Sequence, residues 1–273
     1  MDQNLVSLLD QTSYLHPSRY ISGRIVEYDI KSANITMLHK YKKINDQYFY
    51  YLSNLPKIDR EKEIGNMIRV DSSVYDTIKS GIREAKVHLF EANDIKLSEI
   101  VRIANDAVYI NRSYDLKNTV FDDVIFRIKS VNSVMMKLNT LIIFFYCDYD
   151  EFNIDIKGMS NEIMELHKDY LLSDLAQIIF LIEKVSIEEA MNYFNTLYDN
   201  YINMRLPKEY YRCFDSASLY KHNKVNFYLS NIENIEDIDI NYNLILLREL
   251  WSILLEQYSI KKGVRLWKKK LKL

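Results

Sequence analysis

The chain has 273 residues, 48% of them hydrophobic, so it is long enough to bury a sizeable core, and a wholly disordered protein is excluded. Its 5 glycines and 3 prolines are too few for a loop-rich or all-β fold, and no glycine-rich phosphate loop occurs. The net charge of −2 is nearly balanced, and the 2 cysteines, Cys147 and Cys213, exclude a disulfide scaffold and a structural zinc cluster.

The sequence also lacks the usual signs of secretion and membrane insertion. The N-terminal residues 1–16 are acidic and short of apolar side chains, unlike a signal peptide. The longest apolar run, residues 141–147, is too short to cross a bilayer. We therefore expect a soluble protein of a reducing compartment with no membrane partner. That compartment is the cytoplasm, or the host cytoplasm if the chain is viral.

The spacing of apolar residues predicts one strand and several helices in the first third of the chain. In chain order we expect a short helix over 3–15, a strand over 23–29, a helix over 32–44, and helices over 59–69 and 72–92. After residue 92 the spacing of apolar residues changes from the helical to the strand period. Residues 99–112 alternate apolar and polar side chains around Asn105 and Asp106, which predicts two strands joined by a tight turn.

Further strands are expected over 120–129, 141–146 and 152–157, and helices over 160–184, 186–203 and 241–260. This order predicts an α+β fold, with a small antiparallel sheet and helices followed by a mainly helical C-terminal region. The change to helix near residue 160 predicts two regions, 1–160 and 161–273.

Two aspartates lie at the tips of predicted strands. Asp29 ends the first strand, and Asp106 lies at the turn of the hairpin. A carboxylate at the end of a buried strand is costly unless an arginine, backbone amides or a metal ion compensates it. If the sheet brings the two aspartates together, their repulsion favours a cation between them, and magnesium prefers such oxygen ligands.

The segment DIKSANITM (29–37) resembles motif A of family B DNA polymerases, with Asp29, Ser32 and Thr36 at that motif's spacing. The segment ANDAVYI (104–110) resembles motif C, with Asp106 as its second aspartate and Ala104 in place of the first. The first segment is equally similar to reverse transcriptases, whose two aspartates have a comparably short separation along the chain.

Three further segments extend this resemblance. KEIGN (62–66) resembles motif B, while FRIKS (126–130) and IKGMS (156–160) resemble lysine-containing segments that hold primer and template. The resemblance implies that Lys62, Asn66, Arg69 and Ser32 bind the nucleotide, and that Lys129 and Lys157 contact nucleic acid.

By this resemblance, residues 1–160 form a palm-like catalytic region with reduced fingers, and residues 161–273 form a thumb-like region. The implied activity is magnesium-dependent, template-directed nucleotidyl transfer from nucleoside triphosphates on a DNA or RNA primer-template, as in DNA replication, without a proofreading domain. Asp29 and Asp106 would bind Mg²⁺, with Asp123 as a further ligand. The alternative is a catalytically inactive regulator that binds nucleic acid or a protein partner. A phage or mobile-element origin suits both.

The same residues also fit simpler explanations. Asp29 fits a helix N-cap, Asn105 and Asp106 a plain hairpin turn, and Lys62 with Asn66 a solvated helix face. Asp122 or Asp123 is a rival for the second ligand, but adjacent strand residues point to opposite faces, so only one of them would serve. We prefer Asp106, because a turn exposes its carboxylate.

The C-terminal end is strongly basic and includes Lys268, Lys269 and Lys270. It fits either a solvated helix end or a contact for a phosphate backbone or an acidic partner. Residues 209–224 interleave aromatic and basic side chains, which fits either a buried patch or a surface on which bases stack.

Overall fold

The structure, a computed structural model, describes residue 9 and residues 13–138, 141–147, 152–211, 220–222, 225–227 and 243–263. Over these residues the chain has the predicted α+β fold, with antiparallel strands, helices and a helical C-terminal region. Its strands are β1 (Ser13–Tyr14), β2 (Tyr20–Ile30), β3 (Ile100–Ile103), β4 (Ala107–Asn111), β5 (Val120–Phe121), β6 (Val124–Leu138), β7 (Leu141–Cys147), β8 (Phe152–Lys157), β9 (Tyr220–His222) and β10 (Val225–Phe227).

The α-helices of the described residues are α1 (Ala33–Lys40), α2 (Asp46–Asn54), α3 (Lys57–Val70), α4 (Ser73–Ala92), α5 (Asn161–His167), α6 (Leu171–Phe180), α7 (Ile187–Ile202) and α8 (Leu244–Lys262). A π-helical turn, Leu181–Val185, follows α6, and short 3₁₀ turns cover Leu97–Glu99 and Lys208–Tyr211.

The chain divides into two compact units. The first comprises residues 1–17 and 23–131, and the second comprises residues 18–22 and 132–273. The predicted boundary at residue 160 follows the change from strand to helix along the sequence. The compact units divide earlier because β7 and β8 pack against α6 of the C-terminal helices.

In the first unit the strand order is β1-β3-β4-β2-β6, and β5 pairs with β6. Strand β2 is central, and its residues 25–30 are all buried, as expected for a strand covered on both faces. Helices α1–α4 pack their apolar faces against Val26, Tyr28 and Ile30. Gly81 allows α4 to approach α1, since a Cβ there would lie 2.7 Å from the Tyr41 ring.

The second unit is built around β7, β8 and residues 132–138 of β6, which pair in antiparallel register. Its core joins these strands to the C-terminal helices and contains Val134, Met136, Ile143, Phe145, Leu175, Ile179, Phe194, Leu247, Leu250 and Ile253. The apolar residues of helix α8, which corresponds to the helix predicted over 241–260, therefore face a core.

Several predicted helices and strands have wrong boundaries or are interrupted, and one helix was not predicted. Residues 13–14 of the predicted helix 3–15 form strand β1, and residues 3–8 and 10–12 lie outside the described part of the chain. The helix predicted over 32–44 ends at Lys40, because Lys42 takes a left-handed conformation with φ 56°. Helix α2 was missed, although Asn45 caps it by accepting a hydrogen bond from the Tyr48 amide at 2.8 Å.

Two more corrections concern longer segments. The predicted strand 120–129 is a hairpin, in which β5 and β6 are joined by Asp122 and Asp123, and β6 continues to Leu138. Asp122 has φ 50°, a conformation that aspartate tolerates better than most residues. The predicted helix 160–184 is interrupted at residues 168–170, where Tyr170 has non-helical backbone angles.

Candidate active site at the end of strand β2

Asp29 and Asp106 lie beside each other in the first unit. The antiparallel register of β2 and β4 pairs Asp29 with Ala107, and the Ile30 amide donates a hydrogen bond to the Asp106 carbonyl at 3.0 Å. Asp106 lies in the β3–β4 turn, as predicted, and both side chains line one cavity of about 310 Å³. The structure therefore brings these two predicted residues together.

The environment of Asp29 makes its negative charge costly. The residue is only 6% exposed, and burial raises its pKa above the ordinary value. The charge of Asp106 raises the pKa further, while a hydrogen bond from Arg127 and the charges of Lys129 and Arg127 lower it. Asp29 is therefore a carboxylate that gains from a nearby cation.

A row of cations on β6 faces a row of carboxylates on β2. Arg127 Nη2 lies 3.2 Å from Asp29 Oδ2, and Lys129 Nζ lies 3.0 Å from Glu27 Oε1. Ser130 also donates a hydrogen bond to Glu27 at 3.0 Å. Residues two apart in a strand share one face, which is why each of the two acids on β2 meets one of the two bases on β6. Burial lowers the pKa of Lys129. The hydrogen bond and charge of Glu27, and the charges of Asp29 and Asp106, raise it by more, so the pKa of Lys129 is above its ordinary value.

The start of helix α1 forms another part of the cavity wall. Ser32, Ala33, Asn34 and Ile35 line it. Ser32 has φ 51° and ψ 44°, a left-handed conformation that costs a serine about 1 kcal/mol. It makes no side-chain capping bond, and the first turn of α1 carries no acidic residue, so no carboxylate of the helix itself offsets the positive end of its dipole.

Helix α3 supplies the opposite wall through Lys57, Arg60, Glu61 and Ile64, which share one face of the helix. Lys57 lies 3.8 Å from Glu61. The lining residues thus include four cations, from Lys57, Arg60, Arg127 and Lys129, and three carboxylates, from Asp29, Glu61 and Asp106.

The residues predicted on this helix lie elsewhere. The Lys62 side chain is 70% exposed and lies 3.4 Å from Asp59, and Asn66 and Arg69 are also exposed and do not line the cavity. The prediction began the helix at residue 59 and so left Lys57 outside it. Placing the start at Lys57 and using buried Ile64 to mark the inward face would have selected Lys57 and Arg60.

The other predicted residues also lie outside this cavity. Asp123 is exposed in the β5–β6 turn and does not line the cavity, and its neighbour Asp122 lies 3.7 Å from Lys40. Lys157 belongs to the second unit, where it lies 2.5 Å from Asp155. Lys268, Lys269 and Lys270 lie outside the described residues.

Arg127 was not among the predicted residues. Two-residue periodicity places it on the same strand face as Lys129, which was predicted, so the strand pattern would have selected it. The alternative that Asp29 caps the following helix is wrong. Its carboxylate pairs with Arg127, and α1 begins four residues later, with Ser32 at the N-cap position.

The donor set at the base of the cavity fits a magnesium ion. Asp29 and Asp106 offer hard carboxylate oxygens, and magnesium commonly takes only one or two carboxylates and completes its shell with water and phosphate. Over the described part of the chain, no group of three or more histidine, cysteine, aspartate and glutamate side chains is placed to hold a metal.

The fold and this cavity define an α+β protein with a polar site at strand ends, in which a carboxylate pair faces a ring of cations. The chain belongs to the family of the bacteriophage PBS1 gene 130 protein, whose family model matches residues 6–256. It is thus a member of a phage protein family. None of the curated proteins matches the chain.

None of the helices in the described ranges is long and apolar enough to span a membrane.

Proposed function

We propose that this protein catalyses magnesium-dependent, template-directed nucleotidyl transfer, as a minimal polymerase of phage DNA replication acting in the host cytoplasm. The observation that carries this proposal is the juxtaposition of Asp29 and Asp106 at neighbouring strand ends. The resemblance of their segments to polymerase motifs A and C supports it. Its substrates are nucleoside triphosphates and a DNA or RNA primer-template.

The carboxylates of Asp29 and Asp106 would hold magnesium, which, when bound, supplies positive charge against the phosphates of the nucleotide. Lys57 and Arg60 line the same cavity and would bind the triphosphate oxygens. The amides at the start of α1, which lines the same cavity, would bind a further phosphate group. These groups would together stabilise the charge that develops during transfer.

Arg127 has a separate role in this proposal. Its guanidinium pairs with Asp29, but its side chain is 56% exposed, so it is free to turn toward solvent or a phosphate when the cavity fills. Lys129 stays paired with buried Glu27 and would contact the nucleic acid at the edge of the cavity. Lys157 and the basic residues 268–270 remain proposed contacts to the primer-template.

The test is primer extension by the full-length protein on primed DNA and primed RNA, with either set of nucleoside triphosphates and magnesium. We expect Asp29→Asn and Asp106→Asn each to reduce the rate by about 100- to 1,000-fold, the usual cost of losing a preorganised electrostatic group. Asp123→Asn is the matched control, because this exposed carboxylate does not line the cavity. An intact protein with no magnesium-dependent incorporation on any template would refute the proposal.

One observation favours a second candidate, a catalytically inactive regulator that binds nucleic acid or a protein. The Arg127 guanidinium already neutralises Asp29, and Ala104 stands where the resembled motif has a first aspartate. Such a protein would bind primed nucleic acid equally well with magnesium or with a chelator. A gel-shift assay on primed nucleic acid with the next nucleoside triphosphate present separates the candidates, because only the polymerase proposal predicts that the nucleotide stabilises the complex with magnesium and not with a chelator.

A further inference from the structure

A second cavity, of about 460 Å³, lies within the C-terminal helical unit, between α6, α7 and the 3₁₀ turn at Lys208–Tyr211. Its polar lining residues include Asp174, Gln177, Glu189, Asn192, Tyr193 and Tyr210. None of the residues that line it carries a positive charge, in contrast to the cavity at Asp29. The proposed polymerase activity uses no residue of this cavity.

Asp174 is the unusual member of this set. It is 7% exposed, and its Oδ1 accepts a hydrogen bond from the Tyr193 hydroxyl at 2.5 Å. Its Oδ2 is buried and accepts no hydrogen bond from the described residues. The Tyr210 hydroxyl lies close enough to this carboxylate to affect its pKa, but its geometry falls short of a hydrogen bond to Oδ2. A buried carboxylate oxygen without a donor is rare in folded proteins.

The pKa shifts in the cavity also indicate that the charge of Asp174 is poorly compensated. Burial raises the pKa of Asp174, while the hydroxyls of Tyr193 and Tyr210 oppose the rise. Burial and then the charge of Asp174 raise the pKa of Tyr210 to about 12, so this phenol keeps its proton. The other charged lining residue is Glu189, which is also acidic. The carboxylate therefore has neutral donors but lacks a cation among the residues that line the cavity.

The position of Asp174 in its helix explains only part of this arrangement. It lies in the first turn of α6, where the helix dipole favours a negative charge. The dipole makes the buried charge tolerable, but it provides no hydrogen bond for Oδ2. A ligand with an N–H donor and a positive charge would satisfy both needs.

We propose that this cavity binds an organic cation of the guanidinium or alkylammonium class, with Asp174 as its central partner. The cation donates an N–H to Asp174 Oδ2, and Glu189 at the exposed rim adds a second negative charge. The rings of Tyr193 and Tyr210 offer faces on which a planar guanidinium stacks. The side-chain carbonyl oxygens of Gln177 and Asn192 accept its remaining N–H groups.

The test is isothermal titration calorimetry of the full-length protein with N-acetyl-arginine amide and with its uncharged isostere, N-acetyl-citrulline amide. We expect saturable binding of the arginine probe and at least about tenfold weaker binding of the citrulline probe, because a buried charge pair is lost. Equal binding of the two probes, or no saturable binding of the arginine probe, would overturn the proposal. This comparison uses the unaltered chain and does not depend on any variant folding.

A substitution then assigns the binding to Asp174. Asp174→Asn keeps the shape and the acceptor for Tyr193, so we expect it to fold and to bind the arginine probe at least about tenfold more weakly. Asp169→Asn is the matched control, because Asp169 is exposed and does not line this cavity. Unchanged affinity in Asp174→Asn, or an equal loss in both variants, would contradict the assignment.

Two further probes distinguish a free cation from an arginine side chain of a protein partner. Methylguanidine represents the former, and a blocked Gly-Arg-Gly peptide represents the latter. Tighter binding of the peptide supports a protein side chain as the ligand, and equal affinities support a small free cation. Failure of both to bind counts against the site.

Discussion

Asp29 and Asp174, one in each compact unit, are buried to almost the same extent, at 6% and 7% exposed. Burial raises the pKa of both carboxyls. Asp29, however, faces a second carboxylate and two cations, whereas Asp174 faces tyrosine hydroxyls. Burial alone therefore does not tell what a buried aspartate binds. The surrounding charges distinguish the two sites, which is why the mixed-charge cavity is proposed to bind a magnesium-bound triphosphate and the cavity without lining cations an organic cation.

The largest effect expected on binding tests which cations of helix α3 contact the nucleotide. The double substitution Lys57→Gln with Arg60→Gln should weaken binding of a magnesium-nucleotide complex about 10- to 100-fold, because each lost charged hydrogen bond is worth roughly 1.5–3 kcal/mol and the contributions are not fully additive. Nucleotide titration calorimetry measures this change. The matched control is Lys62→Gln with Arg69→Gln, two exposed cations of the same helix. A greater loss in the control would restore the motif-based assignment of Lys62 and Arg69.

A smaller effect concerns the ion pair between Arg127 and Asp29. Because the guanidinium competes with a metal for Asp29 Oδ2, Arg127→Gln should tighten binding of Mn²⁺, a spectroscopic substitute for magnesium. We expect a change of roughly two- to fivefold, since a partly exposed ion pair is worth about 0.2–1 kcal/mol. Electron paramagnetic resonance of free Mn²⁺ gives the affinity. Arg24→Gln, which breaks a β2 ion pair with Asp115 away from the cavity, should leave it unchanged. Weaker Mn²⁺ binding in Arg127→Gln would show that the arginine supports the site.

The smallest effect is on stability and compares the two aspartates directly. A carboxyl whose folded pKa is raised stabilises the fold below the unfolded pKa of about 3.9, and this contribution is lost as the pH rises through the folded pKa. At pH 7, Asp174→Asn should therefore raise the free energy of unfolding by about 1 kcal/mol, or the melting temperature by about 2–4 °C. The gain should disappear near pH 4.

Asp29→Asn should stabilise the protein less, because Arg127 and Lys129 already offset the charge of Asp29 against Asp106. No comparable cation lines the cavity at Asp174, where Glu189, Tyr193 and Tyr210 are the other titratable groups. Thermal denaturation of both variants across this pH range provides the comparison, with Asp123→Asn as the exposed control. A larger gain in Asp29→Asn than in Asp174→Asn would contradict the proposed difference between the two cavities.

The sequence predicted the features that depend on local periodicity. The α+β class, helices α3, α4 and α7, and the β3–β4 turn with Asp106 follow from apolar spacing and turn residues. The proximity of Asp29 and Asp106 was a supposition supported by the resemblance to polymerase motifs A and C, and the structure does place the two residues beside each other. Interruptions within long apolar segments were harder to see. The Asp122–Asp123 turn and the break at Tyr170 interrupt patterns that otherwise continue through them.

The amino-acid sequence by itself determined the fold class, most of the strands and helices, and which two acids lie at strand tips, since those properties arise mainly from neighbours along the chain. Only the tertiary structure decided the partners of those acids. Arg127 meets Asp29, and Lys57 and Arg60 share its cavity, because β6 and α3 pack around β2 from distant parts of the sequence. The missing donor at Asp174 is likewise a property of how α6 and α7 pack, because hydrogen-bond satisfaction depends on contacts across space.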